Sequence, residues 1–404
     1  MNNKSILHLD LDTFFVSCER LLNSELNGKP VIIGGTSDRG VVSSCSYEAR
    51  KFGVHSAMPM KLARRICPEA IIIKGDGGTY SKYSKLVTEI IKEKVPLYEK
   101  SSIDEFYVDM TGMDTYFHSY LWATELRQTI MKESGLPISF GMSTSKTVAK
   151  IGTGEAKPCG QIQIHRGYEK GFLAPLSLRK IPMVGEKTLV ILRNMGLEYV
   201  KTVQEMPFEL IQSVLGVNGG VIWKKCNGID NSPVIRYNEK KSISSERTFQ
   251  KDTMDLHKLR SYLIGMAENL AFQLRNGNKL TACITVKIRY TDMQTYSKQK
   301  HIAYTSSDHS IIEAAKELFD QLYNRRVRIR LVGVRCSHLV EGGYQINLFE
   351  DSQKLISLYQ AMDKVRNRFG MKAVRRSLTL GSTGYGRMNP FTGEPNMVPA
   401  HRSQ

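Results

Sequence analysis

The sequence predicts a multidomain protein of mixed α/β and α+β class, and three observations carry that prediction. The chain has 404 residues, enough for two to four domains with cores of their own. Its first 145 or so residues interleave short apolar runs with helical patterns. Residues 240–340 instead hold strand-like runs that are apolar on one face and cationic on the other.

Taken in order, residues 5–11 read as a strand and 14–22 as a helix. Residues 30–35 and 41–45 read as strands separated by a Gly/Ser/Asp turn. Helical patterns follow at 47–52, 59–66 and 80–95, and strand, helix and strand then run from about 98 to 143. A second module spans 167–235. Within it, Ile181-Pro182-Met183-Val184-Gly185-Glu186-Lys187-Thr188 reads as a helix-hairpin-helix turn or as a plain helix–helix connection. Met183 stands where such a hairpin carries its first glycine. The third module, 240–340, contains Thr285, Lys287 and Arg289 alternating with aliphatics, and a run 326–331 expected to be a strand with Arg326, Arg328 and Arg330 on one face. Leu355, Leu358, Met362, Val365 and Phe369 trace one stripe of a further helix, expected to pack back onto the body. Residues 381–404 are rich in Gly, Pro, Asn and Ser without apolar periodicity, which predicts a disordered tail.

Two acidic clusters stand out: Asp10-Leu11-Asp12 and Asp104-Glu105, each closing a short apolar run. Strand alternation puts Asp10 and Asp12 on one side of the first run. Carboxylates held together are costly unless a cation neutralises them, and two Mg²⁺ ions are the machinery of in-line phosphoryl transfer. Either cluster alone could simply be an acidic strand end.

The residues from His8 to Glu19 and the segment Ser102-Ile103-Asp104-Glu105-Phe106 resemble two active-site motifs of Y-family translesion DNA polymerases of the DNA polymerase IV type. The block from Gly141-Met142-Ser143-Thr144-Ser145-Lys146 through Lys150 to Lys157-Pro158 resembles that family's palm segment, and Tyr47-Glu48-Ala49-Arg50-Lys51-Phe52-Gly53-Val54 its fingers motif. The motifs follow the family's order, over roughly residues 5–350. The resemblance implies a right-hand polymerase: a ferredoxin-like palm split between 1–13 and 76–166, small fingers at 14–75, a helix-hairpin-helix thumb at 167–235, and an α+β little finger at 240–340. A clamp-binding motif and C-terminal helix would occupy 341–380.

On the family pattern, Asp10 and Asp104 bridge two Mg²⁺ ions, Glu105 completes the site near the primer, and the Leu11 carbonyl faces the nucleotide-side ion. Asp12 matches an acidic position outside the ligand set. The resemblance puts Tyr47, Arg50 and Lys157 on the β- and γ-phosphates of a dNTP, with Ser44 as a further hydroxyl donor and Phe14 beside the nucleotide. Phe15 takes the steric-gate position, where an aromatic ring excludes a 2′-hydroxyl by clash. Ordinary core packing is the alternative for Phe15, and a solvated surface for Arg50 and Lys157 taken singly.

For primer–template DNA the expected contacts are Val184, Gly185 and Lys187 in the hairpin, and Arg247, Lys287, Arg289, Arg326, Arg328 and Arg330 on the basic sheet. The alternative for the latter is a solvated face with cationic edge protection. Gln345, Leu348 and Phe349, in Gln345-Ile346-Asn347-Leu348-Phe349, resemble the Gln-x-x-Leu-Phe motif that docks into the bacterial sliding clamp, the DNA polymerase III β subunit.

Charge agrees with such partners. Fifty-seven Lys and Arg against 39 Asp and Glu give +18, and residues 231–340 contribute 19 against 10, half of that excess. The seven cysteines are scattered without a C-x-x-C pair, which favours reduced thiols over a disulfide framework or zinc finger. No run approaches 18 apolar residues and no signal region opens the chain, so a cytoplasmic protein without a membrane partner is expected, with a monomer as the default. The implied activity is low-fidelity, template-directed DNA synthesis without proofreading. A polymerase V catalytic-subunit-like enzyme needing accessory proteins, a nucleotidyl cyclase and a noncatalytic clamp-recruited scaffold are the alternatives.

Overall fold

The structure, a computed structural model, describes residues 4–113, 118–236, 239–342 and 352–380. They form two compact units, one up to residue 236 and one from 239 onward.

The first unit opens with β1 (Ile6–Leu11), α1 (Phe14–Leu22), β2 (Val31–Gly34), β3 (Val42–Cys45), α2 (Tyr47–Lys51), α3 (Met60–Ile66) and β4 (Ile71–Ile73). It continues through α4 (Gly77–Lys94), β5 (Tyr98–Lys100), β6 (Glu105–Asp109), α5 (Ser119–Ser134), β7 (Ile138–Ser143), α6 (Lys146–Ala156) and β8 (Gln161–Gln163). Five helices close it: α7 (Glu169–Leu173), α8 (Glu186–Asn194), α9 (Val200–Glu205), α10 (Phe208–Leu215) and α11 (Val217–Cys226). Helix α4 begins earlier than its apolar pattern suggests because Asp76 caps it, accepting from the Gly78 and Thr79 amides.

β1 lies at the centre of a five-stranded sheet ordered β5-β6-β1-β7-β8, antiparallel to both neighbours. Its period-two alternation builds two different faces. Leu7, Leu9 and Leu11 join Phe106, Val108, Phe140 and Met142 in the main core, shared with buried residues of α4 and α5. Burying each such side chain stabilises by about 1.5–3 kcal/mol. His8 and Asp10 point to the other face, where α6 lies. His8 Nδ1 is 2.8 Å from Thr153 Oγ1, and burial holds this imidazole neutral, far below its usual range, with Lys150, Lys157 and Lys146 pushing the same way. Helix α6 can lie this close because Gly141 has no side chain: a Cβ there would meet the Ala149 carbonyl oxygen at 2.3 Å.

β2, β3 and β4 form a small sheet with its own core of Ile32, Val42, Cys45 and Met60. The helices after β8 enclose a third core containing Leu173, Leu189, Leu192, Val203 and Ile222. The turn before α8 does form, and Met183 takes the left-handed conformation, φ 80°, that glycine would adopt more easily.

The second unit comprises β9 (Ser242–Thr253), α12 (Leu256–Asn276), β10 (Lys279–Tyr290), β11 (Thr295–Thr305), α13 (Asp308–Leu322), β12 (Ile329–Glu341) and α14 (Ser352–Phe369). Its antiparallel sheet, ordered β11-β10-β12-β9, turns Ile284, Val286 and Ile288 toward a core shared with α12 and α13. Helix α14 does pack back, but not through its apolar stripe. Tyr359, Asp363 and Arg366 are its buried residues, and Arg275 holds Asp363 at 2.5 Å and Asp308 at 2.7 Å. Leu355, Leu358, Val365 and Phe369 remain exposed. The docking stripe is polar because α14 covers the buried carboxylates of Asp308 and Glu268, whose charge the Arg366 guanidinium opposes from 3.7 and 3.9 Å and a leucine would not.

Candidate active site

Asp10, next to last in β1, lies directly opposite Glu105, the first residue of β6. Cross-strand partners bring their Cβ atoms to about 5 Å, so two carboxylates face each other here, an unfavourable pairing without counter-charge. Asp104 joins them: its carbonyl accepts the Leu11 amide at 3.1 Å, and its carboxylate accepts the Ser102 hydroxyl. Burial pushes the Asp10 carboxyl up to about 7; Lys157 opposes the shift while Glu105 and Asp104 add to it. Asp104 is raised chiefly by burial, with Glu105 reinforcing.

Helix α6 supplies the counter-charge in a row. Lys146 sits 2.7 Å from Glu99, Lys150 2.6 Å from Glu105, and Lys157, capping the helix, bonds Asp10. These positions recur at helical spacing along the face turned to the sheet. Three partly buried carboxylates offering hard oxygen donors, two of them made reluctant to ionise by burial, fit a divalent cation.

The residues expected around a triphosphate gather beside this cluster. Tyr47 donates to Asp12 Oδ1 at 3.4 Å, and the Arg50 guanidinium lies 5.1 Å from the Tyr47 ring centre. Lys157 Nζ is also 3.7 Å from Asp12. Ser44 is nearly buried at the edge of β3. The Phe15 ring is half-buried and stacks on Tyr80 at 4.3 Å with an interplanar angle of 12°. Phe14 is corrected: its side chain belongs to the core, 2% exposed, because it is on the face of α1 that packs on the sheet. No ring is available there to touch a ligand.

Sequence reasoning set Asp12 aside and passed over Lys150, Ser139 and Tyr80. Asp12 is 1% exposed and accepts from Ser139 Oγ at 2.8 Å and the Cys159 amide at 2.6 Å. It therefore ties β1, β7, Tyr47 and the loop after α6 together. The spacing of Lys146, Lys150 and Lys157 was a readable signal; the partners of Asp12, far away in sequence, were not.

One expected DNA contact and one expected strand boundary need correction. Val184 is buried in the helical core and its amide bonds the Ile181 carbonyl, so neither group is free for a phosphate. Gly185 caps α8 and Lys187 is exposed. In the second unit, Arg326 and Arg328 precede β12 and are exposed; only Arg330 of the three is in the strand. Pairing starts at Ile329 because the Arg328 carbonyl is bonded by the Thr291 amide and hydroxyl. Arg247 lies on β9, Lys287 pairs with Glu246 at 2.6 Å, and Arg289 Nε reaches Thr295 at 2.8 Å. Gln345, Leu348 and Phe349 lie outside the described residues, as does 381–404. Among the described residues no helix is long and apolar enough to cross a membrane.

The chain matches the impB/mucB/samB family over residues 9–154 and that family's C-terminal domain over 240–348. It is 36% identical to a DNA polymerase IV of Dehalococcoides mccartyi over 94% of this chain and 98% of that protein. A DNA polymerase IV of Treponema denticola is 38% identical over 82% of this chain and 84% of that protein. Among solved structures, a Y-family DNA polymerase chimera of Dbh and Dpo4 superposes with a TM-score of 0.75 at 25% identity, covering 84% of this chain and 100% of that one. The right-hand polymerase fold read from the motifs is thus confirmed, and the chain belongs to the Y-family DNA polymerases, in their DNA polymerase IV branch.

Proposed function

We propose that this polymerase carries its chemistry at Asp10, Asp104 and Glu105, extending a primer 3′-hydroxyl with dNTPs in low-fidelity translesion synthesis. The observation that carries the assignment is the face-to-face row of carboxylates and α6 lysines at the end of the central strands. Asp10, Asp104, Glu105 and the Leu11 carbonyl would hold two Mg²⁺ ions. Such ions lower the pKa of the attacking hydroxyl and stabilise the developing charge on the leaving pyrophosphate.

The chain's own residues do the rest. Lys157 and Lys150 neutralise Asp10 and Glu105 in the resting protein; when substrate arrives, Lys157 exchanges its carboxylate for a phosphate oxygen. Tyr47 and Arg50 complete the triphosphate cradle with a hydroxyl and a two-pronged guanidinium, and Ser44 adds a hydroxyl. Phe15, stacked on Tyr80, packs against the sugar and excludes a 2′-hydroxyl by clash. The five-stranded sheet with α4–α6 serves as palm, β2–β4 with α2 and α3 as fingers, α7–α11 as thumb, and the second unit as little finger. Gly185, Lys187, Arg247, Lys287, Arg289, Arg326, Arg328 and Arg330 contact the DNA backbone. Gln345, Leu348 and Phe349 dock into the sliding clamp, and the enzyme acts as a monomer; its seven free cysteines support a reducing compartment such as the cytoplasm.

Primer extension on an undamaged primer–template with Mg²⁺ tests the assignment. Wild type extends, while Asp104→Ala binds the duplex equally but does not extend. Undiminished extension by Asp104→Ala refutes the site.

A further inference from the structure

The second unit carries a cluster of metal-ligating side chains apart from the carboxylates of the first unit. Cys283 on β10, His301 on β11 and His338 on β12 bring one ligand atom each to within 4.8 Å of one another. No spaced motif announces the cluster, since three neighbouring strands deliver the three side chains.

Cys283 lies on the sheet face opposite the helices, because Ile284, Val286 and Ile288 fill the core face. It is nonetheless only 1% exposed, unlike the other residues of that face, Thr285, Lys287 and Arg289. His301 is its cross-strand partner, so the two side chains share that face.

His338 gets there by a different route. Cys336 faces the core, and strict alternation would send residue 338 the same way. Instead His338 adopts a left-handed φ of 52°, is exposed, and Leu339 packs toward the core in its place. A non-glycine residue in that conformation inside a strand is strained, and its effect is to re-aim the side chain. The two imidazoles end 5.0 Å apart between ring centres, at an angle of 31°. Among the described residues, neither ring has a hydrogen-bond partner.

We propose that Cys283, His301 and His338 bind a borderline-soft divalent cation, Zn²⁺ above all, with the fourth position left to solvent. One thiolate and two imidazoles suit this class and not Mg²⁺, whose preference is for oxygen. Bonds of about 2.0–2.1 Å to nitrogen and 2.3 Å to sulfur place tetrahedral ligand atoms about 3.3–3.6 Å apart. Closing from 4.8 Å therefore needs roughly 1 Å of movement, within reach of two exposed histidine side chains. The bound ion pins β11 and β12 to β10 at one end of the sheet.

Co²⁺ titration of the full-length, reduced protein tests this. The expected result is one Co²⁺ per chain with a thiolate-to-cobalt charge-transfer band in the near ultraviolet, displaced by Zn²⁺. The band disappears in Cys283→Ser and persists in Asp104→Ala. Zn²⁺ affinity falls at least about tenfold in His301→Ala and in His338→Gly, as loss of one ligand in three requires. His338→Gly suits the left-handed backbone better than histidine does, so its loss of affinity cannot be charged to misfolding. A wild-type protein without the band, a band that survives Cys283→Ser, or histidine variants with unchanged affinity would each overturn the site.

Discussion

Asp12→Asn should damage this enzyme without touching its proposed cation ligands, and the structure sets the size of the damage. The Asp12 carboxylate is almost fully buried and serves the Ser139 hydroxyl, the Cys159 amide and the Tyr47 hydroxyl, with Lys157 3.7 Å away. An asparagine keeps one oxygen, which suffices for Ser139 and Cys159 but without charge assistance. Hydrogen bonds to a charged group contribute about 1.5–3 kcal/mol and neutral ones about 0.5–1.5, so two weakened bonds cost about 2 kcal/mol. The amide NH₂ then faces Tyr47, which can turn its hydroxyl to accept, and Lys157, which cannot accept. Tyr47 and Lys157 then shift in the proposed triphosphate cradle. Urea unfolding of the free protein should show the loss of about 2 kcal/mol, and steady-state extension should show the KM for dNTP rising about tenfold, equivalent to about 1.4 kcal/mol. The rate at saturating dNTP falls less, because the carboxylate cluster is intact. Stability within 0.5 kcal/mol of wild type together with an unchanged KM would refute the positioning role.

Three further outcomes follow from neighbouring features. Gly141→Ala places a Cβ 2.3 Å from the Ala149 carbonyl, so α6 must lift from the sheet; a loss of at least about 3 kcal/mol in urea unfolding is expected, with extension reduced at least tenfold. Asp230 is partly buried, which alone would raise its carboxyl, but hydrogen bonds from Ser232 and Thr147 and the charge of Lys225 prevail and hold it well below the usual 3.8. Its contribution is therefore present above about pH 4 and fades as the pH falls below that; the stability gap between wild type and Asp230→Asn should be about 1–3 kcal/mol at pH 7 and shrink at pH 3. Asp10, raised to about 7, must release a proton before it can bind a cation, so the half-saturating Mg²⁺ concentration for extension should fall about tenfold between pH 6 and pH 8. A flat Mg²⁺ requirement over that range would contradict a burial-raised Asp10 carboxyl that takes part in holding the cation.

Much of the palm was legible because its signals are local. The apolar alternation of 6–11, the carboxylates at its end and the cation spacing along α6 can all be read without a partner strand. What escaped depends on contacts made far along the chain. Phe14 and Phe15 are adjacent aromatics, and only the packing of α1 decides that the first is core and the second half-exposed. Arg326 and Arg328 alternate like strand residues, yet the Thr291 bonds to the Arg328 carbonyl delay the ladder to Ile329. The stripe of α14 is apolar and exposed because buried carboxylates on α12 and α13 select the opposite, polar face. His338 breaks alternation by one backbone torsion that nothing in its neighbours' composition announces.

The most direct test counts divalent ions. Ternary complexes with DNA ending in a dideoxy primer and the correct dNTP would be titrated with Mn²⁺ and read by electron paramagnetic resonance. A Cys283→Ser background keeps the sheet cluster out of the count. Two tightly held Mn²⁺ ions per complex are predicted, and fewer than two with Asp104→Ala at equal DNA affinity. Two ions retained by Asp104→Ala, with unchanged affinity, would contradict the assignment of the Asp10, Asp104 and Glu105 cluster as the polymerase centre.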